Sequence, residues 1–216
     1  MSHSARKLKK GMRVFAKRAN GVFFNLHRAL LSLPIYPQHA KAFKDAADNI
    51  LDSYGSASAP HNDMLLFPVL YLYRHYLELQ LKDIVFLGIK CGDYTEVQIA
   101  KMTENRKGHE KGILIRHDLI KLWTAAKGLL AKHYPKGNQT ALVEPIIQDF
   151  HKIDFDGQTI RYDRDTTLKR RAYKSILPSI IDIPTVRKTM DAVYEYLNNS
   201  YAGILDWWDA GQDALP

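Results

Sequence analysis

The sequence has little cysteine, no long uncharged apolar run and no acidic residue near its start. Cys91 is the single cysteine among 216 residues, so the chain cannot form an internal disulfide and has no C-x-x-C zinc or redox motif. We therefore expect a protein of a reducing compartment, the cytoplasm, in which Cys91 is a small core residue. With 46% hydrophobic residues, the chain can still bury a core and fold as one domain.

No segment has the pattern of a membrane span or a signal peptide. The apolar stretch from Val22 to Tyr36 is interrupted by Arg28 and Pro34, and the run from Met64 to Leu87 contains Arg74, His75, Glu78, Lys82 and Asp83. Because such side chains oppose insertion into a bilayer, the second run predicts a buried helix of a soluble protein without transmembrane segments.

Two nucleotide-binding motifs are also missing. Neither G-x-x-x-x-G-K-[ST] nor G-x-G-x-x-G occurs, which argues against the phosphate-loop and dinucleotide-binding classes. We expect no metal site and no cofactor.

Positive charge is concentrated at the N-terminal end. Ten Lys and Arg residues precede Asp45, the first acidic residue, whereas the whole chain has 31 basic and 23 acidic residues, so the remainder is nearly neutral. Leu8, Met12 and Phe15 recur at helical spacing. We predict a basic amphipathic helical arm over residues 1–35 and a helical domain over residues 36–216. Nucleic-acid phosphates are the predicted ligands of Lys7, Lys9, Lys10, Arg13, Lys17 and Arg18.

Other partners fit a basic arm as well. Anionic lipid or an acidic protein could bind it, and a solvated charged face would need no partner.

Apolar periodicity predicts an all-α fold. Helices are expected over residues 38–53, 62–87, 95–102, 117–133, 141–153 and from Asp182 towards the C-terminal end. The second is apolar on nearly all sides and should be the central helix of a bundle. Residues 158–174 break the pattern and predict a small hairpin or an irregular insertion, where Arg170 and Arg171 add to the basic surface.

Charged residues recur along the predicted central helix. Arg74, Glu78 and Lys82 are four residues apart, so they share one face and can pair along it. Because an unpaired buried charge is costly, we expect partners from other segments. The candidate partners are His117, Asp118, Asp154, Asp156 and Arg161. The pattern favours either a polar network that fixes helix docking or a cleft in which Arg and His act on phosphate.

Three segments resemble a known group of bacterial proteins. YRHYLELQLKDI (residues 73–84), RHDLIKLW (residues 116–123) and IDFDGQTIRY (residues 153–162) look like sequences in or near the HEPN superfamily, over about residues 62–163. The resemblance implies a HEPN-like helical bundle that forms a homodimer. It also implies a metal-independent endoribonuclease toxin of stress or antiviral defence, with RNA as substrate and an antitoxin or other protein as partner.

The sequence departs from the pattern of active HEPN ribonucleases. These proteins carry an Arg followed, after four to six residues, by a His. No such pair occurs here, since Arg74-His75 and Arg116-His117 are adjacent. A catalytic site would therefore have to be assembled from separated segments.

The candidate site combines two histidines with two arginines. His75 or His117 would act as the base, and Arg74 or Arg161 would hold the phosphate. The supporting polar residues are Glu78, Lys82, Asp118, Asp154 and Tyr162. We expect Arg74, His75, His117, Asp118 and Arg161 to converge at one end of the central helix.

Two alternatives remain open. A HEPN-derived binding or assembly domain without activity would explain the missing motif. An HD-type metal phosphohydrolase would use His75, the His117-Asp118 doublet and a later carboxylate, either Asp149 or Asp154.

Overall fold

The chain folds into helices wherever the structure, a computed structural model, describes it. The described residues are 35–53, 59–103, 112–135, 138–154, 157 and 181–213. They form six helices and no strand: α1 (Ile35–Asp52), α2 (Ala59–Lys90), α3 (Glu96–Thr103), α4 (Leu119–His133), α5 (Thr140–Ile153) and α6 (Ile183–Asp213). The predicted all-α class is confirmed for these residues.

Several predicted features lie outside the described residues. They include the N-terminal arm with its six candidate phosphate ligands, the candidate site residues Arg161 and Tyr162, and the predicted insertion with Arg170 and Arg171. These remain predictions.

The helix ends agree with the sequence pattern to within three residues. The N-terminal end of α4 shows the local cause, because the Asp118 side chain accepts hydrogen bonds from the backbone N–H groups of Ile120 and Lys121 at 3.1 Å. Both α1 and α2 begin three residues earlier than expected, and α2 also ends three residues later. Pro68 lies inside α2.

Helix α2 is central, as predicted. It packs against α1, α4 and α6, and α4 packs in turn against α5. Its fully buried residues include Val69, Leu77, Leu81 and Ile84. None of the described helices is both long enough and apolar enough to cross a membrane. Because different sides of α2 face different helices, its polar side chains meet partners from several parts of the chain.

Ion pairs fasten α1 to α6. The Lys44 ammonium group is buried and binds the Asp48 carboxylate at 2.7 Å as well as that of Asp191. One turn away, Lys41 pairs with Asp45 at 2.6 Å. Both lysines belong to the basic N-terminal region of the sequence, but their charges are matched by carboxylates of the helical domain.

Candidate functional site

The Arg74 side chain joins three segments of the chain. It is only 2% exposed, and its Nη1 donates a hydrogen bond to Glu78 Oε2 at 2.8 Å. Its Nε donates to the backbone carbonyl of Asp154 at 3.0 Å and lies 3.1 Å from Oδ2 of the same residue. Its Nη2 donates to the backbone carbonyl of His117. Arg74 therefore ties α2 to the segment before α4 and to the end of α5.

We call this group of side chains the Arg74 cluster. Its members are Arg74, Glu78, Lys82, His117 and Asp154.

Gly157 covers one side of the cluster. Its φ of +73° is a conformation that residues with a side chain rarely adopt. A Cβ atom at this position would lie 2.9 Å from the Cβ of His117 and 3.2 Å from Nη1 of Arg74. Both the backbone conformation and the close approach therefore require glycine.

This enclosure changes the role of Arg74. The sequence-based hypothesis made it a phosphate ligand, which requires a guanidinium group that faces solvent. The observed side chain is buried, and its hydrogen bonds go to acceptors on three protein segments. Arg74 instead positions the segments that carry His117 and Asp154.

Glu78 has the pairing that its spacing predicted. Its Oε2 accepts from Arg74, and its Oε1 accepts from Lys82 Nζ at 2.8 Å. Burial alone would raise the pKa of Glu78, but the hydrogen bond and charge of Lys82 and the hydrogen bond of Arg74 outweigh burial and hold that pKa at about 2. The carboxylate is therefore ionised at neutral pH although it is buried.

His117 lies where the Arg74 cluster meets solvent. Its Nδ1 is 2.8 Å from Glu78 Oε1, and its side chain is 47% exposed. Because an ionised carboxylate can only accept a hydrogen bond, Nδ1 carries the proton in this pair. The second nitrogen, Nε2, is then the basic atom of the neutral ring. A carboxylate that orients an imidazole in this way is an arrangement suited to general base catalysis.

A second imidazole lies beside the same end of α4. His151, on α5, has its Nδ1 3.8 Å from Asp118 Oδ1, which is ion-pair distance but too long for a hydrogen bond. Sequence reasoning did not select His151. A usable signal was its position three residues before Asp154, since residues three apart share one side of a helix.

His75 lies elsewhere, contrary to the expected convergence. Its ring contacts Phe43 edge-on at a centroid distance of 4.4 Å and stacks on Tyr71 at 5.8 Å. Burial lowers the pKa of His75. Because one residue step on a helix turns the side chain by about 100°, His75 faces the contact with α1, while Arg74 faces the segments around His117 and Asp154. The structure thus brings Arg74 to His117, the chain neighbour of Asp118, but places His75 elsewhere.

The described ranges contain no metal site of the kind that the HD-type alternative requires. Within them, no three His, Cys, Asp or Glu side chains are grouped so that they could hold a metal ion. Asp149, one of its candidate ligands, is an exposed residue that accepts a hydrogen bond from Lys152 at 3.4 Å.

The chain was compared with known proteins in three ways. No protein-family model, no curated protein and no solved structure matches it. The HEPN resemblance therefore rests on the three sequence segments quoted above.

Proposed function

We propose that this protein is an RNA-directed stress or antiviral defence protein that cleaves single-stranded RNA without a metal ion. The observation that carries the proposal is the hydrogen bond between Glu78 and His117. It gives the protein a half-exposed imidazole whose Nδ1 is held by an ionised, buried carboxylate. Such a ring can take a proton from a substrate through Nε2.

The pair formed by Glu78 and His117 suits the chemistry of RNA cleavage. Without a metal ion, the 2′-hydroxyl group of RNA must give up a proton as it attacks the neighbouring phosphate, and in this proposal His117 accepts that proton. The HEPN resemblance supports the same metal-independent class. RNA phosphates would be held by the basic residues of the N-terminal arm and by Arg161, and we expect a homodimer and an antitoxin or similar partner on the same resemblance.

One observation favours a second function. Arg74, which lies in the first of the three HEPN-like segments, is enclosed by protein acceptors and fastens helices together. A HEPN-derived binding or assembly domain would need such a cluster only for its fold. In that case His117 would be an exposed member of a structural network.

An RNA cleavage assay separates the two functions. The full chain is incubated with single-stranded RNA in EDTA, as wild type, as His117→Ala and as His39→Ala, a matched control at an exposed histidine of α1. We expect the wild type and the control to cleave, and His117→Ala to lose about 10²–10⁴-fold in rate. Melting curves verify that each variant folds.

Two results would count against the nuclease. Intact RNA after incubation with the wild type would favour the assembly function. Unchanged cleavage by folded His117→Ala would show that another group acts as the base.

A further inference from the structure

The second imidazole at the site suggests a second catalytic group. We propose that His151 is the general acid that protonates the leaving oxygen during RNA cleavage, opposite His117 as the general base. This inference rests on the proposed function and adds to it a residue that the HEPN-like segments do not include.

Arg74 links the two chain segments that carry the histidines. It donates to the carbonyl of His117 and to the carbonyl of Asp154. His151 lies three residues before Asp154, in the last turn of α5. The two imidazoles are therefore carried by two segments that one buried guanidinium group holds together. Such positioning by a supporting residue is what a preorganised two-residue site requires.

Asp118 connects the two histidines at the end of α4. It follows His117 in the chain, and its Oδ1 both caps α4 and faces Nδ1 of His151 at 3.8 Å. That distance places the His151 ring beside Asp118, the chain neighbour of the proposed base, His117. Both imidazoles thus lie at the N-terminal end of the same helix.

The orientation of the His151 ring suits a proton donor. Its Nδ1 has almost no surface exposed to solvent, yet 27% of the side chain is exposed. The exposed part therefore belongs to other atoms of the side chain. Nδ1 faces the Asp118 carboxylate, so in this proposal Nε2 is the atom that exchanges a proton with a ligand.

The reaction then balances with these two residues alone. His117 Nε2 takes the proton of the 2′-hydroxyl group, the 2′-oxygen forms a bond to phosphorus, and the bond from phosphorus to the 5′-oxygen breaks. His151 gives its proton to that 5′-oxygen. The products are a 2′,3′-cyclic phosphate end and a free 5′-hydroxyl end, and water returns one proton from His117 to His151.

A substrate that needs no acid tests this role. The 4-nitrophenyl ester of uridine 3′-phosphate releases 4-nitrophenolate, a leaving group that departs without a proton. We expect His151→Ala in the full chain to lose about 10²–10⁴-fold in the rate on single-stranded RNA, but to stay within about tenfold of wild type on the aryl ester. His117→Ala should lose activity on both substrates, and His39→Ala on neither.

A second variant of His151 controls for misfolding. His151→Gln keeps a polar side chain but cannot deliver the catalytic proton, so it should show the same selective loss. Melting curves of both variants accompany the rates.

The outcomes distinguish this inference from the proposed function. If the wild type cleaves RNA and His117→Ala does not, but the His151 variants cleave RNA normally, His151 is not the acid and the nuclease proposal stands. An equal loss on both substrates in the folded His151 variants also overturns the inference. If the wild type cleaves neither substrate, the nuclease proposal fails and this inference fails with it.

Discussion

The two buried carboxylic acids of α2 behave in opposite ways. Glu78 is 2% exposed and Asp83 is 5% exposed, so burial does not distinguish them. The pKa of Glu78 is held at about 2 because Lys82 and Arg74 donate to it, whereas burial raises the pKa of Asp83 to about 8. At neutral pH one is ionised and the other is protonated. The comparison shows that partners, rather than depth, decide the charge of a buried acid.

The sides of α2 that carry these two acids differ as a whole. On the Arg74 side, Glu78 uses both oxygens, and Arg74 donates to acceptors from three segments. On the other side, Tyr76 Oη, Gln80 Nε2 and Asp83 Oδ2 are buried without hydrogen-bond partners among the described residues. One side therefore fixes the helices in place, while the other carries buried polar atoms that gain no hydrogen bond from the described residues.

Removing the Glu78 carboxylate should have the largest effect. Glu78→Ala leaves Arg74 buried without one of its acceptors, and we expect a loss of roughly 3–5 kcal/mol in the free energy of unfolding. The matched control is Glu144→Ala on α5, whose partly exposed ion pair with Lys127 at 3.2 Å should be worth less than about 1 kcal/mol. Urea unfolding measures both, and equal losses would show that the cluster does not stabilise the fold.

The contribution of Glu78 should depend on pH in a defined direction. Its pKa in the folded state, about 2, is below its ordinary value of 4.5. The stabilisation is therefore fully present above pH 4.5 and is lost as the pH falls towards 2. In Glu78→Ala this part of the acid unfolding curve should flatten.

A pair of glycines tests how tightly the Arg74 cluster is closed. Gly157 and Gly92 have nearly the same φ, +73° and +74°, but an added Cβ would collide with the cluster only at Gly157 and would meet nothing within 4 Å at Gly92. We expect Gly92→Ala to lose about 1 kcal/mol through backbone strain, and Gly157→Ala to lose about 2–4 kcal/mol through strain and collision. Thermal unfolding with identical midpoints for the two variants would argue against the close contact.

Asp83→Asn should stabilise the protein. The folded-state pKa of Asp83, about 8, is above its ordinary value of 3.8, so the fold loses stability as the pH rises from about 4 to 8. An amide does not ionise, and we expect a gain of about 1–3 kcal/mol at pH 8 and little change at pH 4. A variant that is less stable than wild type at pH 8 would mean that the ionised carboxylate has a partner.

Local sequence spacing predicted one part of the molecule well. The interval of four residues between Arg74, Glu78 and Lys82 predicted their ion pairs, because that interval alone places side chains on one helical face. The helix limits depend on equally local rules. These features are independent of how the helices pack.

Features that depend on packing were predicted poorly. His75 and Arg74 are neighbours in the chain, yet their side chains contact different parts of the protein. Which part each side chain contacts depends on where the other helices pack around α2. His151 reaches Asp118 across 33 residues of sequence separation, and Gly157 is needed because the Arg74 side chain is already there. No spacing rule contains that information.

The account depends most on the state of the His117 ring. We propose that Glu78 holds the proton on Nδ1 and leaves Nε2 as the base. Nitrogen-15 NMR of the histidine side chains, at a pH where the ring is neutral and with assignment from His117→Asn, reads the protonated nitrogen directly. The account predicts a ring protonated on Nδ1, whereas a ring protonated on Nε2 would contradict it.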